Sequence, residues 1–438
     1  MAILGIPAAL IGYGAALLAL MVAGGVALFA ETHTPVVLIM LVQGLVYAAA
    51  AFWVWRWRGT GGISARAALL FILGLAALMR ALILFAPPHS TDIYRYIWDG
   101  RAQAAGINPY RYVPADPALE SLRDEAIYPG INRREYAPTI YPPTAQLAFW
   151  AGTRLGETIT AMKLAMLAFE AVAIWAIVAL LAARGLPAVL VLIYAWHPLA
   201  IWEVAGSGHV DIVAVAFLML AVLAAEGGRR WSAGAALALA TLAKFFPLAL
   251  APALWRRWDW KMPLATALTG ALLYLPYLSV GGKVFGFLGG YADEGGLTTG
   301  DGFLLAVLFR EAGLTDLALP AFVLCALALL AGLAFVTTFR ATPERPDIPG
   351  ALAIAVAFTV LISPHHAWYF LWLIPFLCFS LSPSVLYLTL AAPALYRVGW
   401  PPSLLGAALL YLPFLLLLAI ETVRPVTLKE FAHERART

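Results

Sequence analysis

The stretch RAALLFILGLAALMRALILFAPPHSTDIYRYIWDGR, residues 66–101, joins two different kinds of chain. Its first part, residues 66–86, is an apolar run of about the length that crosses roughly 30 Å of hydrocarbon. Two prolines end that run, and Ser90 or Thr91 can cap the helix that follows. The stretch therefore predicts a transmembrane helix that leads directly into a short polar and aromatic helix outside the bilayer.

The composition of the whole chain agrees with a membrane location. Of 438 residues, 63% are hydrophobic and 12% are charged, whereas soluble domains carry roughly 25% charged residues. Similar apolar runs recur along the chain, and they predict an all-α polytopic membrane protein with about twelve transmembrane helices. The expected spans are 5–29, 35–56, 66–86, 159–183, 187–203, 210–226, 262–280, 316–338, 350–363, 368–381, 383–398 and 403–421.

The basic residues set the expected orientation. With a cytoplasmic N-terminus, most arginines and lysines of the short loops fall on the inner side, which fits the positive-inside rule. The formal net charge of +4 is then a topology signal rather than a sign of nucleic acid binding. We expect one integral domain, 1–438, in the inner (plasma) membrane, with extracytoplasmic loops 87–158 and 281–302 and a cytoplasmic tail 422–438.

One segment does not fit a simple crossing. The basic pairs at 229–230 and 256–257 flank about 25 residues, so a single span would place one pair outside. We therefore predict a re-entrant pair of half-helices, 232–243 and 247–254, that turns at residues 244–247. Non-helical backbone at membrane depth is tolerated only where protein or a water-filled cavity covers it, so this turn should line a cavity.

The two long loops differ in character. Residues 87–158 are polar, aromatic and rich in proline, which predicts a semi-rigid outer structure with short helices near 91–105 and 143–155. Residues 281–302 are rich in glycine, which lowers the ordering of a loop and predicts a mobile flap.

The polar helix after the third span carries the first candidate residues. Asp92, Arg95 and Asp99 are spaced i, i+3 and i+7, so they share one helix face. A carboxylate beside a membrane cavity can act as a general base, and the arginine can orient it or bind an anion. The alternative is a helix start with a solvated ion pair, and the spacing does not distinguish the two aspartates.

Other ionisable residues near membrane depth form further candidates. His209 and Asp211 can line a polar cavity, which we favour over a metal pair. Lys244, inside an apolar run, needs an anionic partner, either a protein carboxylate or a lipid-linked phosphate. His365 and His366 can donate hydrogen bonds to a phosphate, while the aromatic residues after them can equally form an interfacial belt.

No Walker loop, GxGxxG turn or GxSxG motif occurs, so the chain offers no evident site for a soluble nucleotide sugar. Five motifs instead follow one another in a characteristic order: DIYRYIWDGRAQAAGINPYRYVP, TIYPPTAQ, GSGHVDIVAV, LAKFFPLAL and SPHHAWYFLWLIPF. Together they resemble bacterial GT-C-fold glycosyltransferases that use polyprenyl-phosphate sugars, especially the mannosyltransferase-like proteins of glycosyltransferase family 87. The resemblance extends from about residue 65 to 415.

The resemblance implies an inverting transfer of a hexose, usually mannose, from a polyprenyl-phosphate donor to a hydroxyl of a lipid-linked or glycan acceptor on the extracytoplasmic side. It implies no metal and no cofactor, and it makes Asp92 the catalytic carboxylate. The adjacent acidic pair of some GT-C proteins is missing, because Thr91 precedes Asp92. The expected substrate-binding residues are Arg95, Asp99, Tyr141, His209, Asp211, Lys244, His365 and His366.

Two other functions remain as alternatives at this point. A non-enzymatic lipid-linked sugar flippase or transporter would have the same composition, although the chain shows no inverted repeat of the kind common in transporters. An enzyme like the O-antigen ligases, with a diphosphate donor, would need more outer arginines around its leaving group.

Overall fold

The computed structural model describes residues 2–3, 6–30, 33–59, 65–340, 345–398 and 404–423. Two short strands pair antiparallel at the N-terminus, and helices make up nearly all the remaining regular structure. The strands are β1 Ala2–Ile3 and β2 Ile6–Pro7. The α-helices are α1 Ala8–Phe29, α2 His33–Trp57, α3 Ala65–Leu84, α4 Asp92–Ala104, α5 Pro143–Leu155, α6 Ile159–Ala183, α7 Leu192–Ala195, α8 Pro198–Ile201, α9 Asp211–Glu226, α10 Arg230–Thr241, α11 Ala251–Leu254, α12 Lys261–Tyr274, α13 Leu288–Glu294, α14 Leu304–Glu311, α15 Ala318–Arg340, α16 Ile348–Ile362, α17 Ile374–Leu377, α18 Pro383–Ala391, α19 Leu395–Val398 and α20 Leu404–Val423.

Short non-α helices connect several of these elements. The 3₁₀ segments are Pro117–Leu122, Tyr128–Gly130, Ala188–Val191, Phe246–Leu250, Leu275–Phe285, Ala367–Leu373 and Ala392–Ala394, and a π-helix covers Trp202–Gly206.

The described part of the chain contains seven helices that are long and apolar enough to cross a membrane, and a pair bent by 65° at 188–206 would make an eighth. The chain is therefore an all-α polytopic membrane protein, as predicted. Every expected span overlaps helical structure, but several of these helices are short, so the number of about twelve spans stays a prediction. Most of the predicted cytoplasmic tail, residues 424–438, lies outside the described residues.

The predicted re-entrant pair is present as a helical hairpin. α10 begins just after α9 ends and packs along it. The chain then reaches Lys244, whose ammonium lies 3.4 Å from the carboxylate of Asp211, the first residue of α9. It returns through α11, where the carbonyl of Ala253 accepts a hydrogen bond from the amide of Asp347. Arg345, two residues before Asp347, lies 3.5 Å from the carboxylate of Glu226 at the end of α9. Both ends of the hairpin thus lie at the same end of the bundle, as the two basic flanks predicted.

The long loop between α3 and α6 is structured, and its two expected helices are confirmed as α4 and α5. α4 and α5 pack closely because Gly100 has no side chain. A Cβ at this position would lie 2.5 Å from the carbonyl oxygen of Phe149. Arg101 fixes the end of α4 by pairing with Asp124 and Glu157, each at 2.7 Å. The loop therefore holds the start of α4 in a defined position above the bundle.

The predicted flap contains the end of the 3₁₀ segment Leu275–Phe285, followed by α13. The carboxylate of Glu294 accepts from Arg133 Nε at 2.5 Å and from the Tyr136 hydroxyl at 2.9 Å. The amide of Phe287 donates to the carbonyl of Thr139 at 3.1 Å. Hydrogen bonds thus connect this segment to the outer loop. The mobility of the segment stays a prediction.

Candidate functional site

A cavity of about 390 Å³ opens where the first turn of α4, the hairpin turn and α13 come together. Side chains from six separate parts of the chain form its wall, including the predicted residues Asp92, Arg95, Tyr141, Lys244 and His366. The hairpin turn therefore lines a cavity, as predicted. Three other predicted residues, Asp99, His209 and Asp211, lie directly behind this wall, where each contacts a wall residue.

Asp92 is the first residue of α4 and faces the cavity. Thr91 occupies the N-cap position without a side-chain cap bond, whereas Ser90 Oγ accepts from the amide of Asp92 at 3.3 Å. The side-chain amide of Asn132 donates to Asp92 Oδ1 at 3.0 Å. One carboxylate oxygen is therefore held by the outer loop.

An ion pair between Arg95 and Asp99 gives the two aspartates of α4 different positions relative to the cavity. Arg95 Nε donates to Asp99 Oδ1 at 2.8 Å, and Arg95 Nη1 donates to the carbonyl of Ala137 at 3.1 Å. Asp99 is buried behind Arg95 and also accepts from the Gln146 side chain at 3.1 Å. Asp92 and Arg95 thus reach the cavity, whereas Asp99 fixes the position of Arg95.

Lys244 and Asp211 form the second charged pair of the site. The ammonium of Lys244 lines the cavity, lies 3.4 Å from Asp211 Oδ2 and sits 4.6 Å from the centre of the Tyr369 ring. Asp211 is buried behind it. The protein carboxylate that the sequence allowed as a partner for Lys244 is therefore present, and the lysine still faces the cavity.

The histidines are arranged around Trp368. His366 faces the cavity and stacks on Trp368 at 4.2 Å, while the buried His209 stacks on Trp368 at 4.1 Å. His209 Nδ1 lies 2.8 Å from Glu203 Oε2. His365 is half-buried and lies outside the cavity wall. Among the described residues, no group of three or more His, Cys, Asp or Glu side chains has a metal-binding arrangement.

Protonation of the two adjacent histidines is unfavourable. Desolvation lowers the pKa of His365 and of His366 from 6.5 to about 4. The accessible part of His366 faces the cavity, so its ring is available to a ligand. At neutral pH it is therefore a neutral hydrogen-bonding group rather than a cation.

Tyr141 forms an aromatic part of the wall. Its ring makes edge contacts with Tyr96 at 5.1 Å and Phe149 at 5.2 Å, and its carbonyl accepts from the Tyr110 hydroxyl at 2.6 Å. Burial, and then the charge of Asp92, raise the pKa of Tyr141 well above its ordinary value, so the phenol stays protonated.

The profile of glycosyltransferase family 87 matches residues 139–364, just over half of the chain. The protein belongs to glycosyltransferase family 87. It is therefore a membrane glycosyltransferase. No curated protein and no solved structure matches the chain. The matched region includes Tyr141, His209, Asp211 and Lys244, whereas Asp92, Arg95, Asp99, His365 and His366 lie outside it.

Several wall residues of this family 87 protein were not predicted. Asn132 and Arg133 come from the outer loop, and Arg133 has a φ of 53°, a left-handed conformation that is uncommon for arginine. Tyr291 comes from α13 and bonds to the Tyr369 hydroxyl at 2.9 Å. Tyr396 donates to the buried carboxylate of Glu203 at 2.9 Å. No local sequence pattern indicates these residues, because they lie in segments that are far from Asp92 in the sequence and meet it only in the folded chain.

The cavity wall of this family 87 protein carries more positive than negative side chains. Asp92 is its single carboxylate among the described residues, while Arg95, Arg133 and Lys244 contribute three cations. Each cation also contacts a carboxylate outside the wall, which keeps it oriented. The arrangement offers a proton acceptor and a site for an anion within one cavity.

Proposed function

We propose that this family 87 protein is an inverting GT-C-fold glycosyltransferase. It transfers a hexose, mannose by the family's usual preference, from a polyprenyl-phosphate donor to a hydroxyl of a lipid-linked or glycan acceptor. The single observation that carries the proposal is the cavity wall that combines Asp92 with three cations. An acceptor hydroxyl needs a base, and a departing phosphate needs positive charge, so one cavity meets both requirements.

In the proposed reaction, Asp92 takes the proton of the acceptor hydroxyl. The acceptor oxygen attacks the anomeric carbon from the face opposite the phosphate, and the bond between that carbon and the phosphate oxygen breaks. The electron pair of the broken bond stays on the phosphate, which leaves attached to its polyprenol. The hydrogen bond from Asn132 supports this role because it orients one carboxylate oxygen, while no described residue bonds to the other oxygen, which can accept the proton.

Lys244, Arg95 and Arg133 offset the charge of the leaving phosphate in this proposal, and His366 contributes a neutral hydrogen bond. Preorganised charges aimed at a developing anion contribute strongly to catalysis, because they need no rearrangement during the reaction. Asp99, Glu294 and Asp211 hold the three cations in place without reaching the cavity wall themselves.

The donor is proposed to arrive from the bilayer, because the sequence has no evident site for a soluble nucleotide sugar. The basic residues of the short loops support an extracytoplasmic cavity in the inner membrane. The hairpin contributes Lys244, a cation from an apolar run, to the cavity wall beside Asp211, where it can meet the phosphate of a donor that enters from the bilayer.

Purified full-length protein in proteoliposomes, given radiolabelled polyprenyl-phosphate mannose and a panel of lipid-linked and glycan acceptors, tests this function. We expect labelled product with an inverted anomeric configuration. Movement of the labelled donor between leaflets without product would instead identify a flippase, the competing function. Product of retained configuration would exclude the proposed single displacement.

A further inference from the structure

A second charged surface lies at the end of the bundle opposite the cavity. α9 runs from Asp211, beside the cavity, to Glu226, and its 16 residues span about 24 Å. Directly after Glu226 the chain enters the first of two basic and aromatic segments. We call them together the basic–aromatic patch, with the members Arg229, Arg230, Trp231, Arg256, Arg257, Trp258, Trp260 and Lys261.

The two segments of the patch form one continuous surface. The rings of Trp231 and Trp260 meet edge to face at 5.6 Å and so join the start of α10 to the segment before α12. The guanidinium of Arg257 lies 5.3 Å from the ring of Phe339, near the end of α15. Three elements therefore contribute to the surface.

The aromatic side chains of the patch are unusually exposed. Trp258 is 86% exposed, Trp260 61% and Trp231 46%. Trp258 also has a φ of 65°, a left-handed conformation that is costly for a bulky residue. Hydrogen bonds within the chain close this turn, because the amide of Asp259 donates to the carbonyl of Arg256 at 2.9 Å and Trp255 Nε1 donates to the carbonyl of Asp259 at 2.7 Å. The turn leaves the ring of Trp258 exposed.

The positive charge of the patch is not neutralised. Within the described part of the chain, none of the five patch cations makes an ion pair. The single acidic residue between 227 and 261 is Asp259, and its Oδ1 accepts from the amide of Lys261 at 3.3 Å at the start of α12. The patch thus combines exposed tryptophans with arginine and lysine side chains that have no carboxylate partner among the described residues.

We propose that the basic–aromatic patch binds the headgroups of anionic phospholipids in the leaflet opposite the cavity. Indole rings prefer the interface between water and hydrocarbon, and clustered arginines and lysines beside a span attract anionic lipids. The distance of about 24 Å from the cavity places the patch close to the other surface of a bilayer with a hydrocarbon core of roughly 30 Å. This inference does not depend on the proposed reaction.

The full-length protein in mild detergent, titrated with dioleoyl-phosphatidylglycerol or dioleoyl-phosphatidylcholine and analysed by native mass spectrometry, tests the proposal. We expect tighter binding of phosphatidylglycerol. In the triple variant Arg229→Gln, Arg256→Gln and Arg257→Gln this preference should fall about a hundredfold, because each interfacial cation contributes about fivefold and the three factors multiply. Equal binding of both lipids by the wild type would overturn the proposal.

A matched control removes three exposed cations from the opposite end of the protein, in the variant Arg111→Gln, Arg154→Gln and Lys283→Gln. This variant should keep the wild-type preference, and an equal loss in both variants would refute a specific patch. The wild type offers a test that does not depend on variant folding. Its preference should weaken as salt rises, because salt screens exposed charges, and a salt-independent preference would contradict the proposal.

Discussion

The buried ion pair between Arg80 and Glu170 allows a quantitative prediction about stability. Arg80 donates to both carboxylate oxygens of Glu170, at 2.6 and 2.7 Å, and also to the carbonyls of Ala76 and Ala195. The two side chains are only 7% and 1% exposed. Glu170→Leu removes both charged acceptors and leaves the guanidinium unpaired in the apolar interior. Such a loss costs about 3–5 kcal/mol, and we expect the free energy of unfolding to fall by this amount.

The double variant Arg80→Met and Glu170→Leu separates charge burial from packing. Replacing a whole buried pair by apolar residues is often neutral, so we expect its free energy of unfolding to lie within about 1 kcal/mol of the wild type. Reversible unfolding in mixed micelles, followed by circular dichroism, measures both variants. The exposed Glu125→Leu serves as a control and should change the free energy by less than about 0.5 kcal/mol. A double variant as unstable as the single one would refute the reasoning.

Three further predictions concern the cavity and its support. Lys244→Met should lower kcat/KM at least about a hundredfold in the transfer assay, because it removes a cation from the wall, while the exposed Lys283→Met should remain near the wild type. His366 stays neutral down to a pKa of about 4 in the folded protein but titrates near 6.5 when unfolded, so stability falls as pH drops through this window. His366→Asn should therefore lose less thermal stability than the wild type between pH 7 and pH 5, and an equal loss would contradict the assignment. Gly100→Ala should cost about 1–3 kcal/mol in unfolding free energy because its Cβ would meet a backbone carbonyl at 2.5 Å, whereas Gly74→Ala, with open space around it, should be neutral or stabilising by up to about 1 kcal/mol.

The sequence predicted those elements whose signals are local. Two prolines and the capping residues before Asp92 marked the start of α4 to within one residue. The basic pairs on both sides of residues 231–255 required the chain to return to the end where it began, and the hairpin does so. Charge pattern and proline chemistry act over a few residues, so they can be recognised without knowledge of the tertiary structure.

The site itself depended on contacts between distant segments. Spacing placed Asp92 and Asp99 on one helix face, but Arg95 turns toward Asp99 and covers it, because Ala137 holds the guanidinium from the outer loop. The bond from Asn132 to Asp92 joins residues 40 positions apart. No local pattern contains such information, so these roles could be recognised only from the folded chain.

Transfer by the Asp92→Asn variant tests the central claim most directly. The substitution keeps the shape of the side chain and removes the proposed base, so we expect transfer from polyprenyl-phosphate mannose to fall by about 10²-fold to 10⁴-fold. Asp99→Asn should retain more activity, because Asp99 acts through Arg95, and the exposed Glu125→Gln in the same loop should match the wild type. Full activity in Asp92→Asn, or a larger loss in Asp99→Asn, would contradict the assignment of Asp92 as the base.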